Sequence, residues 1–206
     1  QGALAEQMVI PEIALRQGWV KKVPENISVN AASLVEPVSS CVHTRSIIEF
    51  NPGEKILIVG SGPIGCIHGE LAMAFGAQSV IIADLSQPRL DIAKEFGFTE
   101  YINPKMTNLS ETIKRNYPFG VDKVISANPS PKALAEAIGL VRKGGTVIAF
   151  GGLPKDNYIV EVDGNRIHYD EVVLIGSYPY SRDENDLAFK YVETGVISSE
   201  KYITSV

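Results

Sequence analysis

Three glycines at the spacing G-x-G-x-x-G are the residues of this sequence that point most directly to chemistry. Gly60, Gly62 and Gly65 follow the apolar run 55–59 and open a helix-compatible segment, 64–75. In such a turn the first glycine permits a sharp bend, the second lets the backbone approach a pyrophosphate, and the third allows helix and strand to pack closely. The N-terminus of the helix offers free N–H groups and a partial positive charge to phosphates. The pattern predicts a dinucleotide-binding site.

An acid ends the next apolar run. Asp84 follows the run 79–83, nineteen residues after Gly65, where a carboxylate can accept hydrogen bonds from the adenosine ribose. Because a carboxylate repels a 2′-phosphate, Asp84 favours NAD over NADP. Arg89 could hold a phosphate, but beside an acid we interpret it as stacking on adenine or lying near the pyrophosphate. Methyltransferases also have a glycine-rich loop and an acid here, but the glycine spacing and Pro63-Ile64 favour a dinucleotide.

The ends of three later strands supply the remaining predicted cofactor contacts. Carboxyl ends of parallel strands meet at one edge of the sheet, where the nicotinamide is expected to lie. The alternative is that these residues form ordinary turns at the ends of strands. The predicted contacts are Ala127, Asn128, Phe150, Gly151, Gly152, Ser177 and Tyr178.

The elements that must position these residues alternate along the chain. The sequence predicts strands at 55–60, 79–84, 100–102, 121–127, 145–151 and 171–177, and helices at 63–75, 88–97, 109–117, 131–142 and 183–194. This order is typical of an α/β protein with a parallel, doubly wound, six-stranded Rossmann sheet and helices on both faces. Towards the N-terminus we predict strands at 5–11 and 19–23 and a helix over 30–50 that is interrupted at Pro37.

Composition excludes several classes of partner. The net charge of −5 argues against a nucleic-acid or anionic-membrane surface. Cys41 and Cys66 are the only cysteines and form no C-x-x-C motif, which favours a reducing, cytoplasmic location. We interpret both thiols and His68 as packed core residues.

Several further motifs occur in one consistent order. They are Gly2-Ala-Leu-Ala-Glu6 with Val9-Ile-Pro11, Ala31-Ala-Ser-Leu-Val-Glu36-Pro37 with His43, Pro52-Gly-Glu54, Asp84 with Arg89-Leu90, Arg142-Lys-Gly-Gly-Thr-Val147, and His168-Tyr with Ile175-Gly-Ser177. With the glycine turn, they resemble the medium-chain dehydrogenase/reductase superfamily, in particular its zinc-dependent alcohol, sorbitol and threonine dehydrogenase-like branch.

The resemblance implies a division of the chain and an activity. Residues 1–37 would be a small β-rich remnant of a GroES-like zinc and substrate domain, residues 38–195 the NAD-binding domain, and residues 196–206 a return segment. The complete enzyme would use zinc and NAD to oxidise an alcohol or polyol, whereas this chain alone would bind the cofactor without catalysing. The alternatives are a zinc-free quinone or enone reductase of the same superfamily and a non-catalytic NAD-binding module.

Two further residues gain candidate roles from the resemblance. Glu36 occupies the position that supplies, or lies beside, a zinc ligand in polyol dehydrogenases; alone it cannot hold zinc, which needs three or four ligands. His43 would either join a proton relay or pack against the nucleotide domain. Pro179 stands where some polyol dehydrogenases have an active-site arginine, which argues against sorbitol-type specificity. A homodimer or tetramer would form through strand 171–177.

Overall fold

A single parallel sheet organises the computed structural model, which describes residues 6–203. Its strand order is β3-β2-β1-β4-β5-β6, and every neighbouring pair is parallel. The strands are β1 Lys55–Val59, β2 Ser79–Ala83, β3 Glu100–Ile102, β4 Val121–Ser126, β5 Val141–Ala149 and β6 Val173–Gly176. This confirms the predicted six-stranded sheet. The chain reverses direction across the sheet between β1 and β4, which is where open α/β sheets bind ligands.

Helices cover both faces of the sheet, as predicted. They are α1 Glu12–Arg16, α2 Val29–Ala32, α3 Val35–Ile47, α4 Pro63–Ala74, α5 Gln87–Ala93, α6 Leu109–Asn116, α7 Pro131–Ile138, α8 Gly164–Tyr169 and α9 Arg182–Glu193, with 3-10 turns at Lys94–Phe96 and Ser199–Lys201. Successive strand residues point to opposite faces. Accordingly Ile56 and Ile58 pack with α3, α4 and α9, whereas Leu57 packs with α6 and α7.

The N-terminal strands predicted at 5–11 and 19–23 are wrong for the part of the chain that the structure describes. Between residues 6 and 28 no strand forms, and five residues build the short helix α1 instead. Pro11 caps this helix with an extended backbone, and Val9 and Ile13 remain exposed. An apolar run becomes a strand only where a neighbouring strand completes its hydrogen bonds, and no strand within residues 6–203 lies beside either run. Ala5 lies outside the described residues.

Two predicted boundaries also need correction. The predicted break at Pro37 lies instead at Ser33-Leu34, because Pro37 occupies the first turn of α3, where a helix has no partner for an N–H group. The helix predicted over 131–142 ends at Ile138, and β5 already begins at Val141. Gly144-Gly145, which the sequence suggested as the end of that helix, lies within β5 near an irregularity in its pairing with β4.

None of the helices in the described range is both long enough and apolar enough to cross a membrane.

Candidate dinucleotide-binding site

The glycine turn joins β1 to α4 at the carboxyl edge of the sheet. Gly60 has a φ of 116°, and a Cβ atom there would lie 2.5 Å from the Ala127 carbonyl oxygen. A Cβ atom on Gly65 would clash with the Gly60 carbonyl oxygen. Protein packing therefore explains the first and third glycines. Gly62 caps α4 with an ordinary φ of −69°, and its missing side chain faces open space with no atom within 4 Å. That cradle fits the close approach of a pyrophosphate.

Asp84 is fixed beside the glycine turn by two backbone hydrogen bonds. The Ser61 N–H donates to Oδ2 and the Ser86 N–H donates to Oδ1, each at 2.8 Å. Each carboxylate oxygen keeps a further lone pair for another donor. The carboxylate is therefore oriented in advance for a pair of vicinal hydroxyl groups, such as those of a ribose. This arrangement fits the adenosine half of a dinucleotide.

A cavity of about 1220 Å³ joins several of the predicted residues. Gly60, Asp84, Arg89 and Asn128 all line it, and it continues along the groove between α6 and α7. Arg89 is exposed and lines the same cavity as Asp84. Its stacking on adenine remains a prediction.

Pro63 and Ile64 lie in the first turn of α4 rather than in this cavity. Pro63 is the first residue of the helix, where its missing N–H costs nothing. Ile64 is half-buried and packs against the core, and its carbonyl oxygen lies 3.9 Å from the Cys41 thiol.

The other predicted strand-end residues fall into two groups. Ala127, Phe150 and Ser177 are engaged within the protein: the Ala127 N–H donates to the Val59 carbonyl oxygen, the Phe150 ring meets the His68 ring edge-on, and the Ser177 hydroxyl bonds that of Thr44 at 2.7 Å. Gly151 packs against the backbone of Asn128, whereas Gly152 and Tyr178 face open space. Their contact with a cofactor remains a prediction.

Glu36 is exposed in the first turn of α3 and faces Tyr180. The pKa of the Tyr180 phenol is raised, first by burial and then by the charge and hydrogen bonding of Glu36. Trp19 meets the Tyr180 ring edge-on, with 6.4 Å between ring centroids. Sequence reasoning missed Tyr180 and Trp19, because nothing local in the sequence joins three residues so far apart. Arg182 donates to the Gln17 carbonyl oxygen.

His43 pairs with a carboxylate at the start of α9. Its Nδ1 lies 2.9 Å from Oε1 of Glu184. Oε2 of the same carboxylate accepts the Ser181 N–H in a capping box. Burial acts to raise the pKa of Glu184, but the hydrogen bonds from Ser181 and His43 outweigh it and lower that pKa. His43 thus joins α3 to α9. Its role in a proton relay remains a prediction.

The remaining candidate groups are core residues, as the sequence suggested. His68 is fully buried, neither ring nitrogen has a partner, and burial lowers its pKa to about 3. The pKa of the Cys66 thiol is raised to about 12, first by burial and then by the charges of Glu70 and Asp84. Burial likewise raises the pKa of Cys41.

Residues 6–203 contain no complete set of zinc ligands. No group of three or more His, Cys, Asp or Glu side chains in that range could hold a metal ion. Glu36 is therefore not joined there by further ligands, and these residues do not fit zinc on their own.

Comparison with known proteins identifies related dehydrogenases. A family model described as zinc-binding dehydrogenase matches residues 63–193. Sorbitol dehydrogenase of Bacillus subtilis (strain 168) is 32% identical over 193 residues, which cover 93% of this chain and 54% of that protein. The structure of 2R,3R-butanediol dehydrogenase from Bacillus subtilis gives a TM-score of 0.79 at 26% identity, covering 88% of this chain and 51% of that one.

A third similar protein contains a bound cofactor. This protein from Sinorhizobium meliloti 1021, described as a zinc-binding dehydrogenase bound to NADP, gives a TM-score of 0.80 at 27% identity over 86% of this chain and 52% of that one. This chain spans about half the length of these relatives. The family model covers more than half of its 206 residues, so the chain belongs to the zinc-binding dehydrogenase family.

Proposed function

We propose that this chain is the NAD(H)-binding part of a zinc-dependent, medium-chain alcohol or polyol dehydrogenase. The observation that carries the proposal is the open cradle at Gly62 beside the doubly held carboxylate of Asp84. When bound, the cofactor supplies hydride transfer between the carbinol carbon of a secondary alcohol or polyol and nicotinamide C4. The chain binds and orients that cofactor. In the complete enzyme, zinc would polarise the substrate oxygen.

Asp84 supports a preference for NAD. Both carboxylate oxygens accept backbone N–H groups, which fix the carboxylate in place. A fixed negative charge at this place repels a 2′-phosphate. Arg89 provides a positive charge in the lining of the same cavity, and the relative from Sinorhizobium meliloti is bound to NADP. NADPH is therefore the competitor that the experiment must include.

Titration with NADH and NADPH tests the proposal. The wild-type chain should bind NADH more tightly than NADPH. Asp84→Asn should weaken NADH binding by about 1–3 kcal/mol, because the ribose hydroxyls lose a charged acceptor. The same substitution should narrow the difference in affinity between NADH and NADPH. Fluorescence of the bound reduced nicotinamide measures both affinities.

Asp91→Asn is the matched control. Asp91 lies on α5 and forms an exposed ion pair with Lys94, outside the cavity. The substitution removes one negative charge, as Asp84→Asn does, and should leave the affinities for NADH and NADPH unchanged. Equal affinity of the wild type for NADH and NADPH would contradict the preference for NAD, and no binding of either would contradict the proposed function.

The assembly and location of the protein belong to the same proposal. We infer a homodimer or tetramer through β6, since this strand lies at the edge of the sheet and exposes Val173 and Leu174. The free, buried thiols Cys41 and Cys66 support a cytoplasmic location.

A further inference from the structure

The side-chain amide of Asn128 joins three elements at the point where the sheet changes direction. Its Nδ2 donates to the Val59 carbonyl oxygen at 3.0 Å and to the Ser126 hydroxyl at 3.2 Å. Its Oδ1 accepts the Ser130 N–H at 2.9 Å. One amide thus connects the end of β1, the end of β4 and the N-cap of α7.

The backbone around Asn128 is closely packed on both sides. A Cβ atom on Gly60 would lie 2.5 Å from the Ala127 carbonyl oxygen, and one on Gly151 would clash with the Asn128 carbonyl oxygen. The peptides at 127–128 are therefore held between the glycine turn and the end of β5. Neither Gly60 nor Gly151 could carry a side chain in this position, so a small shift of the 127–128 backbone would disturb both contacts.

Asn128 also lines the cavity that contains Gly60 and Asp84. An amide NH₂ group has two hydrogens, and both are used within the protein. The nitrogen therefore offers no free donor to a ligand. The side chain instead fixes the distance between the glycine turn after β1, which would receive the pyrophosphate, and the start of α7, which also lines the cavity.

On the basis of the proposed function, we propose that Asn128 is a positioning residue for the dinucleotide. Its amide holds the glycine turn and the N-cap of α7 at the separation that the cofactor needs. The hydrogen bond from Nδ2 to the Val59 carbonyl oxygen is the critical contact, because it alone among the three joins the side chain to the glycine turn.

Asn128→Asp separates the donor from the acceptor. The carboxylate can still accept the Ser130 N–H, but at neutral pH it places an oxygen against the Val59 carbonyl oxygen. NADH affinity should fall by about tenfold, which corresponds to the loss of one hydrogen bond. A carboxyl group in this setting should have a raised pKa, and its protonated form regains an O–H donor. Lowering the pH from about 8 to about 5.5 should therefore restore part of the affinity relative to the wild type.

Asn116→Asp is the matched control. The Asn116 amide joins α6 to β3 by donating to the Glu100 carboxylate at 3.2 Å, and Asn116 does not line the cavity. The substitution is the same, and NADH affinity should stay at the wild-type value at every pH. Circular dichroism establishes that each variant is folded before titration. If Asn128→Asp does not fold, Asn128→Ser, which keeps an acceptor for Ser130 and loses the amide donor, takes its place at neutral pH.

The outcomes separate this inference from the proposed function. Weaker binding by folded Asn128→Asp with recovery on acidification supports the positioning role, as does weaker binding by Asn128→Ser if that variant has to be used. Wild-type affinity in the folded variant, or a loss that acid does not reverse, overturns it. A wild-type chain that binds no NADH overturns the proposed function, and the inference with it, before any variant is compared.

Discussion

His68 is a polar residue in a place that offers it no hydrogen-bonding partner. It lies on α4 with both ring nitrogens unpaired and its ring against the edge of Phe150. The charged form is excluded by burial, which lowers the pKa to about 3. The residue therefore behaves as a neutral aromatic group of the core, and its titration is coupled to unfolding.

Replacing His68 should change how stability depends on pH. The unfolded chain binds a proton at His68 below about pH 6.5, whereas the folded chain stays neutral there until about pH 3. Between these values the unfolded state binds more protons, so the free energy of unfolding falls as the pH falls, by up to about 1.4 kcal/mol per pH unit. His68→Leu should remove this contribution. Urea unfolding of both proteins at pH values from about 7 to about 4 measures the difference.

The stability difference between variant and wild type should grow steadily on acidification, because other titrating groups contribute equally to both. At neutral pH the leucine should be neutral or stabilising, since it replaces unpaired polar atoms by apolar ones. Parallel stability curves across this range would show that His68 protonates equally well in both states.

The element that could be predicted most reliably is the unit β1–α4–β2. Its strand, turn and helix signals are all local: an apolar run, Gly60 and Gly62 at the turn, and Pro63 at the first helical position. The residues 5–11 and 19–23 also gave a partly apolar signal, but a strand needs a neighbouring strand as well, and the sequence pattern alone does not show whether one is present. The start of β5 was missed because Gly144-Gly145 resembles the end of a helix. The contact of Tyr180 with Glu36 and the hydrogen bonds that join Asn128 to β1 and α7 arise only once the chain has folded.

Two alanine substitutions in the glycine turn should differ in their effect on stability, although both should weaken NADH binding. In Gly65→Ala the new Cβ atom would clash with the Gly60 carbonyl oxygen, so α4 must move away from β1. Stability should fall by about 1–3 kcal/mol, and NADH binding should be lost. In Gly62→Ala the backbone conformation suits alanine, and no atom lies within 4 Å of the added Cβ atom. The fold should keep its stability while NADH binding weakens.

Thermal unfolding and NADH titration of both variants measure this contrast. A loss of stability in Gly62→Ala would mean that the turn is under more constraint than its geometry indicates. Unchanged NADH affinity in the same variant would place the pyrophosphate elsewhere.

At the scale of the whole molecule, the sheet has an open edge at β6. Val173 and Leu174 are 49% and 40% exposed, and no strand of the described chain pairs with the outer side of β6. In the described part of the return segment, the Tyr202 hydroxyl donates to Glu70 on α4 at 2.5 Å. An unpaired apolar edge favours pairing with a second copy across a two-fold axis.

Val173→Lys should shift the chain from dimer to monomer, because it adds a charge at the centre of the proposed contact. Phe119→Lys is the control: Phe119 is 88% exposed between α6 and β4 and has no place in the edge contact. Sedimentation at several concentrations should show a dimer for the wild type and the control. A wild-type chain that remains monomeric at high micromolar concentration would contradict this assembly.

The central pairing of β1 with β4 has a consequence for how the protein folds. These strands are neighbours in the sheet, yet β2, β3 and three helices lie between them in the chain. Closing so long a loop carries an entropic cost before any contact across it forms, and folds rich in such pairings form slowly. The crevice between β1 and β4 does not exist until both halves of the chain have met. Competence to bind a nucleotide should therefore appear late in folding, and a nascent chain that has not yet completed β4 has no site to offer.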